Sequence, residues 1–315
     1  MLEASVIVPA RDAETTLPRT LEALATQDLG DGRHEVIVVD DGSSDRTVEL
    51  ARAAPGPVRV LLQSAQGPAQ ARNLGVAEST GRTLVFCDAD VFPTPGWLRA
   101  GLSALEGADL VQGRVLPDPS IELGPFDRTL WVTSSVGLWE TANLFVRRET
   151  FERVGGFEEW IRPEIGKAMF EDVWFGWRAL RSGARASFCA EALAHHAIFE
   201  RDWRGYVDER RRLRYFPAAA AKMPELRERL FFRRLFLSRR SAALDAALAG
   251  TLTALLRRSP LPLIAALPYA RLALARRGSF GHRKGGALVA ADIAADIVGL
   301  ASLARGSLRY RSLVL

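Results

Sequence analysis

The sequence lacks most of the patterns that assign a protein to a class directly. It has 315 residues but only two cysteines, Cys87 and Cys189, which form neither a disulfide framework nor the spacing of a zinc site. No G-x-G-x-x-G follows the first predicted strand, which argues against a dinucleotide-binding domain, and the absence of G-x-x-x-x-G-K-[ST] excludes a P-loop enzyme. No recognised nucleic-acid-binding motif occurs, so we expect no nucleic-acid partner.

The sequence also lacks a signal peptide and an uninterrupted transmembrane segment. It begins directly with a predicted strand, Ala4–Pro9, and with so few cysteines we expect a cytoplasmic protein. Two apolar stretches occur, but arginines and prolines interrupt 251–275, and Asp292 and Asp296 interrupt 285–304. Neither stretch reaches ~18 uninterrupted apolar residues, so we expect neither to be a good transmembrane helix.

Charge is distributed very unevenly along the chain. Residues 1–199 carry 19 basic and 28 acidic side chains, a net charge of −9, whereas residues 200–315 carry 23 basic and 9 acidic side chains, a net charge of +14. Such an asymmetry suggests that the basic part contacts a membrane or a nucleic acid. The arginine clusters of this part are either a solvated face or an attraction for anionic lipid headgroups.

The stretch 285–304 has the pattern of an amphipathic helix, with Asp292 and Asp296 on one face. Its apolar face is formed by Val289, Ile293, Ile297, Leu300 and Ala304. The pattern favours a helix that lies on a membrane surface or on a partner.

The first ninety residues alternate predicted strands and helices. Buried strands are indicated at Ser5–Val8, Glu35–Val39, Val58–Leu62 and Arg82–Cys87, with helical patterns between them. This order predicts an α/β fold with a parallel sheet. The middle of the chain is mixed, and helices dominate from residue 200 onward.

Two spaced carboxylates, Asp88 and Asp90, follow the buried strand that ends at Cys87. In open α/β sheets, ligands bind at the carboxyl ends of strands. Mg²⁺ is commonly held by one or two carboxylates together with substrate phosphates. The pair therefore indicates a site for a metal and a diphosphate, although a polar turn before Pro93 would give the same pattern.

A second acidic pair, Asp40 and Asp41, follows the strand Glu35–Val39. A carboxylate at this place can accept a hydrogen bond from a ribose hydroxyl or a base N–H. Capping of the next helix is the simpler explanation, but it accounts for only one of the two aspartates.

Two further pairs of polar residues are candidates for the same site. Glu171 and Asp172 open an aromatic-rich helix, where a carboxylate can serve the helix dipole or act as a general base. His195 and His196 follow a strand, and a neutral imidazole is a common metal ligand. One of the two histidines could complete a site begun by Asp90, and the sequence does not choose between them.

In combination these motifs resemble those of the family 2 glycosyltransferases, over roughly residues 3–200. The matching segments are Ser5-Val-Ile-Val-Pro-Ala-Arg11, Val38-Val-Asp-Asp-Gly-Ser-Ser-Asp45, Ala71-Arg-Asn-Leu-Gly75, Phe86-Cys-Asp-Ala-Asp90, Val154-Gly-Gly-Phe157 and Glu171-Asp172. The resemblance implies a GT-A fold, which is a mixed sheet flanked by helices. We expect a catalytic domain at 1–205, with a nucleotide-binding half at 1–95 and an acceptor half at 96–205, and a basic helical extension at 206–315.

The resemblance also implies roles for individual residues. Pro9 and Arg11 would lie beside the nucleotide base, Asp40 and Asp41 would contact the base or ribose, Arg72 would lie near the nucleotide, and Asp88 would face the ribose. Asp90 would bind Mg²⁺ or Mn²⁺, Asp172 with Glu171 beside it would supply the general base, and His195 or His196 would contact the metal or the diphosphate. The family inverts the anomeric carbon, and the donor would be a UDP, dTDP or GDP sugar.

The chain departs from the processive members of the family, because no Q-x-x-R-W motif occurs near 208–215. We therefore expect transfer of one sugar or a few. The extension lies outside the shared fold, and its charge suggests peripheral attachment to the cytoplasmic face of a membrane and a lipid-linked or cell-envelope glycan acceptor. The alternatives are a sugar nucleotidyltransferase, whose glycine-rich N-terminal loop is missing from Ile7–Arg11, and a non-catalytic membrane-associated binding protein.

Overall fold

The computed structural model describes residues 2–29, 33–161, 163–164, 169–275 and 285–315. These residues form two compact units. Unit 1 comprises Met1–Glu122 with Thr129–Phe199, and unit 2 comprises Leu123–Arg128 with Glu200–Leu315. The short segment 123–128 thus joins the later, basic part of the chain.

Unit 1 is built on a single sheet. Its strands are β1 (Ala4–Ala10), β2 (His34–Asp40), β3 (Val58–Leu62), β4 (Thr83–Cys87), β5 (Val91–Pro93), β6 (Leu110–Pro117), β7 (Asn143–Arg147) and β8 (Ala186–His196). Its helices are α1 (Leu17–Ala25), α2 (Thr47–Arg52), α3 (Pro68–Ala77), α4 (Trp97–Ala104), α5 (Arg148–Val154) and α6 (Glu171–Arg181).

The sheet has eight strands in the order β3-β2-β1-β4-β7-β6-β8-β5. The first four strands in this order pair in parallel, as the alternation of strands and helices predicted. Strand β7 is antiparallel to both β4 and β6, β6 and β8 are parallel, and β5 is antiparallel to β8. A mixed sheet flanked by helices confirms the expected fold class.

The central strands are apolar on both faces because helices cover both sides of the sheet. Val6, Ile7 and Val8 of β1 are consecutive and fully buried. Helix α3 approaches this strand closely at Gly75, where a Cβ atom would lie only 2.6 Å from Cγ2 of Ile7. A larger residue at Gly75 would therefore push α3 away from strands β1 and β2.

Unit 2 is helical in the residues that the structure describes. Its α-helices are α7 (Trp203–Glu209), α8 (Phe216–Lys222), α9 (Leu226–Arg229), α10 (Arg239–Arg257), α11 (Leu267–Ala275) and α12 (Gly285–Tyr310). Two 3₁₀ segments lie at Arg210–Tyr215 and Leu261–Ala266. A small core forms around Ala220, Phe231, Leu303 and Val314.

Helix α12 is more apolar than the search for uninterrupted runs indicated. An 18-residue window within Gly286–Tyr310 has a mean hydropathy of 1.8, and this segment is long and apolar enough, by length and composition only, to cross a membrane. Length and composition alone therefore allow a span here, because alanine and aliphatic residues outweigh the two aspartates, and the expectation that 285–304 is not a membrane span stays a prediction. A core helix of a soluble protein passes the same test, and 39% of the apolar window is buried within the structure.

Candidate active site

The predicted donor-site residues meet at one edge of the sheet. Strands β1, β2 and β4 are parallel neighbours, and they end at Ala10, Asp40 and Cys87. Carboxyl ends of parallel strands lie at the same edge, so Arg11, Asp41 and Asp88 follow these strands on the side where ligands bind in α/β sheets.

Asp40 and Asp41 are both buried, and each holds a loop. Oδ2 of Asp40 accepts hydrogen bonds from the backbone N–H groups of Gly42 and Ser43, both at 3.1 Å. Oδ1 of Asp40 is buried without a hydrogen-bond partner among the described residues. That oxygen is therefore a hydrogen-bond acceptor at this sheet edge to which no described residue donates.

Asp41 fixes the start of the loop that leads into α3. Its Oδ1 accepts hydrogen bonds from Nε2 of Gln63 and the backbone N–H of Gln66, both at 2.7 Å, and its Oδ2 accepts one from the N–H of Gly67 at 2.9 Å. Nη1 of Arg11 lies 3.8 Å from Asp41 Oδ2, and the Arg11 side chain is half exposed. Pro9, two residues before Arg11, is partly buried within β1.

Asp12, which sequence reasoning missed, closes the same edge. Its Oδ1 accepts hydrogen bonds from the backbone N–H of Ser44 at 2.8 Å and from the Ser44 hydroxyl at 3.0 Å. The backbone hydrogen bond from Ser44, followed by the hydroxyl, lowers the pKa of Asp12. Asp12 has a positive φ of 47°, a conformation that aspartate tolerates better than most residues.

Arg72 is a buried cation that ties two predicted site residues together. Its Nη2 donates a hydrogen bond to Oδ1 of Asp88 at 2.8 Å, and its Nη1 donates one to Oε1 of Glu171 at 3.5 Å. Burial acts to lower the pKa of Arg72, but the carboxylates of Asp88 and Glu171 raise it above its ordinary value. The guanidinium therefore stays charged and holds the end of β4 to the start of α6.

Asp172 is a carboxyl group with a strengthened affinity for a proton. Burial, followed by the negative charges of Glu171 and Glu140, raises its pKa well above the ordinary value, against the opposing effect of Arg72. The backbone N–H of Val173 donates to its Oδ1 at 2.7 Å. A carboxylate in this setting is a stronger base than an exposed aspartate, as general base catalysis requires.

Glu140 is a further acidic group of this site that no sequence motif indicated. Burial raises its pKa to about 7, and its charge is felt by Asp172. It directly precedes the segment Thr141-Ala-Asn143 that leads into β7, and its own carbonyl accepts the N–H of Asn143 at 3.2 Å. The only sequence signal was its place immediately before a buried strand.

The structure separates the two histidines of β8. In the antiparallel pairing of β5 with β8, Val91 lies opposite His196 and Phe92 lies opposite His195. Successive side chains of a strand point to opposite faces. Nε2 of His196 is 3.6 Å from Oδ1 of Asp90, whereas His195 faces the charges of Asp118 and Arg19.

The His196 ring is oriented by its other nitrogen. Nδ1 lies 2.6 Å from the carbonyl oxygen of Ala197. A carbonyl oxygen only accepts hydrogen bonds, so this contact assigns a proton to Nδ1. In the neutral ring the lone pair is then on Nε2, the nitrogen that lies 3.6 Å from Oδ1 of Asp90. A ring N–H that donates to a backbone carbonyl is the usual arrangement of a histidine that binds a metal.

His195 belongs to a different cluster. Both terminal nitrogens of Arg19 on α1 donate hydrogen bonds to the carboxylate of Asp118. This pairing holds the pKa of Asp118 far below its ordinary value. Burial lowers the pKa of His195, with a smaller opposing effect from Asp118. The sequence did not reveal this pair because 99 residues separate its members.

Asp90 and His196 fit a divalent cation together with a bound diphosphate. Within the described residues, no group of three or more His, Cys, Asp and Glu side chains is arranged to hold a metal. Two protein ligands supplemented by substrate phosphates are an ordinary arrangement for Mg²⁺. The separation of 3.6 Å between Nε2 and Oδ1 allows both atoms to bind one ion.

Residues 5–157 match the family model described as glycosyl transferase family 2. The matched segment is a little under half of the chain, and over this segment the chain is similar to the family. A glycosyltransferase of Haloferax volcanii, AglE, is 34% identical over 167 residues, which are 49% of this chain and 55% of the relative. A pre-mycofactocin glycosyltransferase of Mycobacterium tuberculosis is 31% identical over 225 residues, 64% of this chain and 44% of the relative. The chain thus spans about half the length of these curated relatives.

Solved structures with the same fold come from more distant proteins. A mannosyltransferase from Pyrobaculum calidifontis in complex with GDP-Man and Mn²⁺ superposes with a TM-score of 0.57 at 20% identity, covering 98% of this chain and 87% of that one. Staphylococcus aureus TarS in complex with UDP-GlcNAc superposes with a TM-score of 0.55 at 19% identity, covering 99% of this chain and 93% of that one. At this level of identity the likeness shows the fold alone.

Proposed function

We propose that this chain transfers a sugar from a nucleoside-diphosphate sugar to a hydroxyl group of an acceptor, with inversion at the anomeric carbon and the assistance of Mg²⁺ or Mn²⁺. The observation that carries the proposal is the cluster of Asp88, Asp90, Arg72, Asp172 and His196 in unit 1. The family-model match over residues 5–157 and the nucleotide-sugars named for the two structural relatives support it.

Asp90 and His196 would hold the cation. When bound, the cation stabilises the negative charge that develops on the departing diphosphate. The Nδ1–H of His196 is fixed on the Ala197 carbonyl, so this residue offers Nε2 without a change of tautomer. His195, which the motif alone left as an equal candidate, has no place in this proposal.

Asp172 would take the proton of the acceptor hydroxyl as that hydroxyl attacks. Burial and the charges of Glu171 and Glu140 raise its pKa, which favours proton uptake. Arg72 holds Glu171, the neighbour of the base, through one arm and Asp88 through the other. The guanidinium of Arg72 therefore positions groups on the donor side and on the acceptor side.

The acceptor belongs to the proposal at a coarser level. We propose a lipid-linked or cell-envelope glycan, reached from the cytoplasmic face of a membrane, and a donor that is a UDP, dTDP or GDP sugar. The net charge of +14 on residues 200–315 supports the membrane contact. The acceptor class is supported by relatives whose names include an acceptor, among them a poly(ribitol-phosphate) glycosyltransferase of Staphylococcus aureus that is 31% identical over 94 residues.

The decisive experiment compares Asp172→Asn with a matched control, Asp28→Asn, which alters an exposed aspartate paired with Arg99. Each protein is incubated with UDP, dTDP and GDP sugars and Mn²⁺, and release of the nucleoside diphosphate is measured with acceptor or water. We expect Asp172→Asn to lose at least about 100-fold in turnover, the usual size of a general-base effect, while its melting temperature still rises with nucleotide and Mn²⁺.

The control should keep wild-type turnover. Full turnover by Asp172→Asn would remove the residue from the reaction. Failure of the wild-type protein to respond to any nucleotide, with or without Mn²⁺, would leave a non-catalytic binding protein as the better description.

A further inference from the structure

Unit 2 exposes many large apolar side chains in one continuous part of the chain. Between residues 246 and 275, every leucine and isoleucine is exposed to solvent. The most exposed are Leu255 at 71%, Leu256 at 76%, Leu261 at 80% and Ile264 at 71%. Single exposed leucines are normal in soluble proteins, whereas a run of this size marks an interaction surface.

We call these side chains the apolar hairpin surface. They are Leu248, Leu252, Leu255, Leu256, Leu261, Leu263, Ile264, Leu267, Leu272 and Leu274. They lie on the second half of α10, on the 3₁₀ segment Leu261–Ala266 and on α11.

The hairpin packs on itself through small residues. Over 246–275 the buried residues are Ala247, Gly250 and Ala273. Gly250 meets the returning chain directly, because a Cβ atom there would lie 2.5 Å from the carbonyl oxygen of Pro262. Small residues inside and large aliphatic residues outside are the arrangement of helices packed in a lipid environment, where burial of leucine gives no advantage over exposure.

The turn of the hairpin is well defined. Helix α10 ends at Arg258, which adopts the left-handed conformation with a φ of 48°, and the N–H of Ser259 donates to the carbonyl of Ala254 at 3.1 Å. Pro260 then prevents continuation of the helix. The surface is therefore presented by a defined turn.

The charges of this segment favour an anionic partner. Residues 246–275 contain no acidic side chain, and their basic residues Arg257, Arg258 and Arg271 are all exposed. An apolar surface edged only by arginine fits a lipid monolayer that carries negative headgroups. A second copy of the chain fits less well, because a two-fold interface through this segment would bring the arginines of both copies together without an acidic side chain from 246–275 to pair with them.

Helix α12 adds to this surface because its acidic face is turned inward. Oδ1 of Asp292 accepts a hydrogen bond from the hydroxyl of Tyr206 at 2.9 Å. Asp296 accepts one from Nε of Arg240 on α10 at 2.8 Å and one from the hydroxyl of Tyr269 on α11 at 2.8 Å. Ile293 and Ile297 are exposed on the other side of the helix.

The packing of α12 indicates that it lies along the unit. A Cβ atom at Gly306 would lie 2.1 Å from the carbonyl oxygen of Arg214, and Leu303 belongs to the core with Phe231. A helix held in this way is a structural part of unit 2. We propose that the apolar hairpin surface, together with Ile293 and Ile297, docks into the interfacial layer of a membrane that contains anionic lipid. The proposal deepens the membrane partner of the proposed function and is independent of donor and metal.

The test is flotation of the full-length protein with vesicles of phosphatidylcholine, with and without phosphatidylglycerol. The wild-type protein should bind the anionic vesicles and be released from them by alkaline extraction. Leu256→Glu combined with Ile264→Glu should lower the bound fraction by at least about tenfold, because both side chains would have to enter the acyl boundary with a charge. The matched control is Leu62→Glu, an exposed leucine of unit 1, which should bind like the wild type.

Arg257→Gln combined with Arg258→Gln should weaken binding to anionic vesicles and leave binding to neutral vesicles unchanged. The proposal is overturned if the glutamate variant binds as well as the wild type. It is also overturned if the wild type ignores vesicles and the same substitutions convert a dimer into a monomer, or if the wild type resists alkaline extraction as a spanning protein does. The melting-temperature response to nucleotide and Mn²⁺ is measured on every variant, so loss of docking is distinguished from loss of the donor site.

Discussion

Nε2 of His196 lies 3.6 Å from Oδ1 of Asp90, while Nδ1 of the same ring is held by the carbonyl of Ala197 at 2.6 Å. The two side chains come from the end of β8 and from the turn between β4 and β5, 106 positions apart in the sequence. The arrangement supplies one carboxylate oxygen and one imidazole lone pair to the same point, which is the chemical basis for the proposed cation site.

This relationship predicts different effects for the two neighbouring histidines. His196→Ala should raise the Mn²⁺ concentration needed for half-maximal activity by at least about tenfold, because one of two protein ligands is lost. His195→Ala is the matched control, and its Mn²⁺ dependence should remain that of the wild type. Titration of activity, and of the melting temperature in the presence of nucleotide, with Mn²⁺ measures both. Equal effects of the two substitutions would contradict the assignment.

The buried position of Arg72 predicts a large loss of stability on its removal. Arg72→Gln would leave Asp88 and Glu171 without their cation, and breaking a buried ion pair by removing one partner costs about 3 kcal/mol or more. Arg46→Gln removes an arginine from the exposed pair with Glu49 and should leave the free energy of unfolding nearly unchanged, because solvent screens the pair. Urea denaturation followed by circular dichroism measures the difference. Similar values for the two variants would show that Arg72 is replaceable by solvent.

The raised pKa of Glu140 predicts that the free energy of unfolding falls as the pH rises. Its pKa is about 7 in the folded state and near 4.5 when unfolded, so the native state binds its proton more tightly. The stabilisation is fully present below pH 4.5 and is lost as pH rises through 7, at 1.36 kcal/mol per pH unit, to a total of at most about 3 kcal/mol.

Glu140→Gln removes this titration. The variant should match the wild type near pH 4.5 and exceed its free energy of unfolding above pH 7. Glu149→Gln, a substitution of the same type on α5, serves as the matched control. A Glu140→Gln variant that is less stable than the wild type above pH 7 would show that this carboxylate is stabilised when ionised.

The raised pKa of Asp172 predicts the pH at which activity falls on the acid side of the pH–activity profile (the acid limb). The base acts only when ionised, so kcat/KM should fall at a pH well above 3.8, the ordinary value for an aspartate. Glu140→Gln removes one of the charges that raise this pKa, and the limb should move to lower pH. The profile is recorded at saturating Mn²⁺ with release of nucleoside diphosphate as the readout. An unchanged limb in the variant would show that Glu140 and Asp172 do not sense each other.

The amino-acid sequence by itself determined the class of the fold and most of the donor-site edge. Runs such as Ser5–Val8 and Arg82–Cys87 are apolar without alternation, and only strands covered on both faces are built this way. The carboxylates that follow such strands must lie at one sheet edge, so Asp41 and Asp88 were found from local pattern alone.

Other features were decided only by the tertiary structure, because they depend on which distant residues the strand register and helix packing bring together. The pairing of β5 with β8 places His196, and not His195, beside Asp90. The reach of Arg72 to Glu171 spans 99 positions, and Glu140 has no motif of its own. On α12, Asp292 and Asp296 form hydrogen bonds within unit 2, whereas Ile293 and Ile297 are exposed, so the acidic face is turned inward. Composition and periodicity report which residues share a face, but only packing decides which way that face is turned.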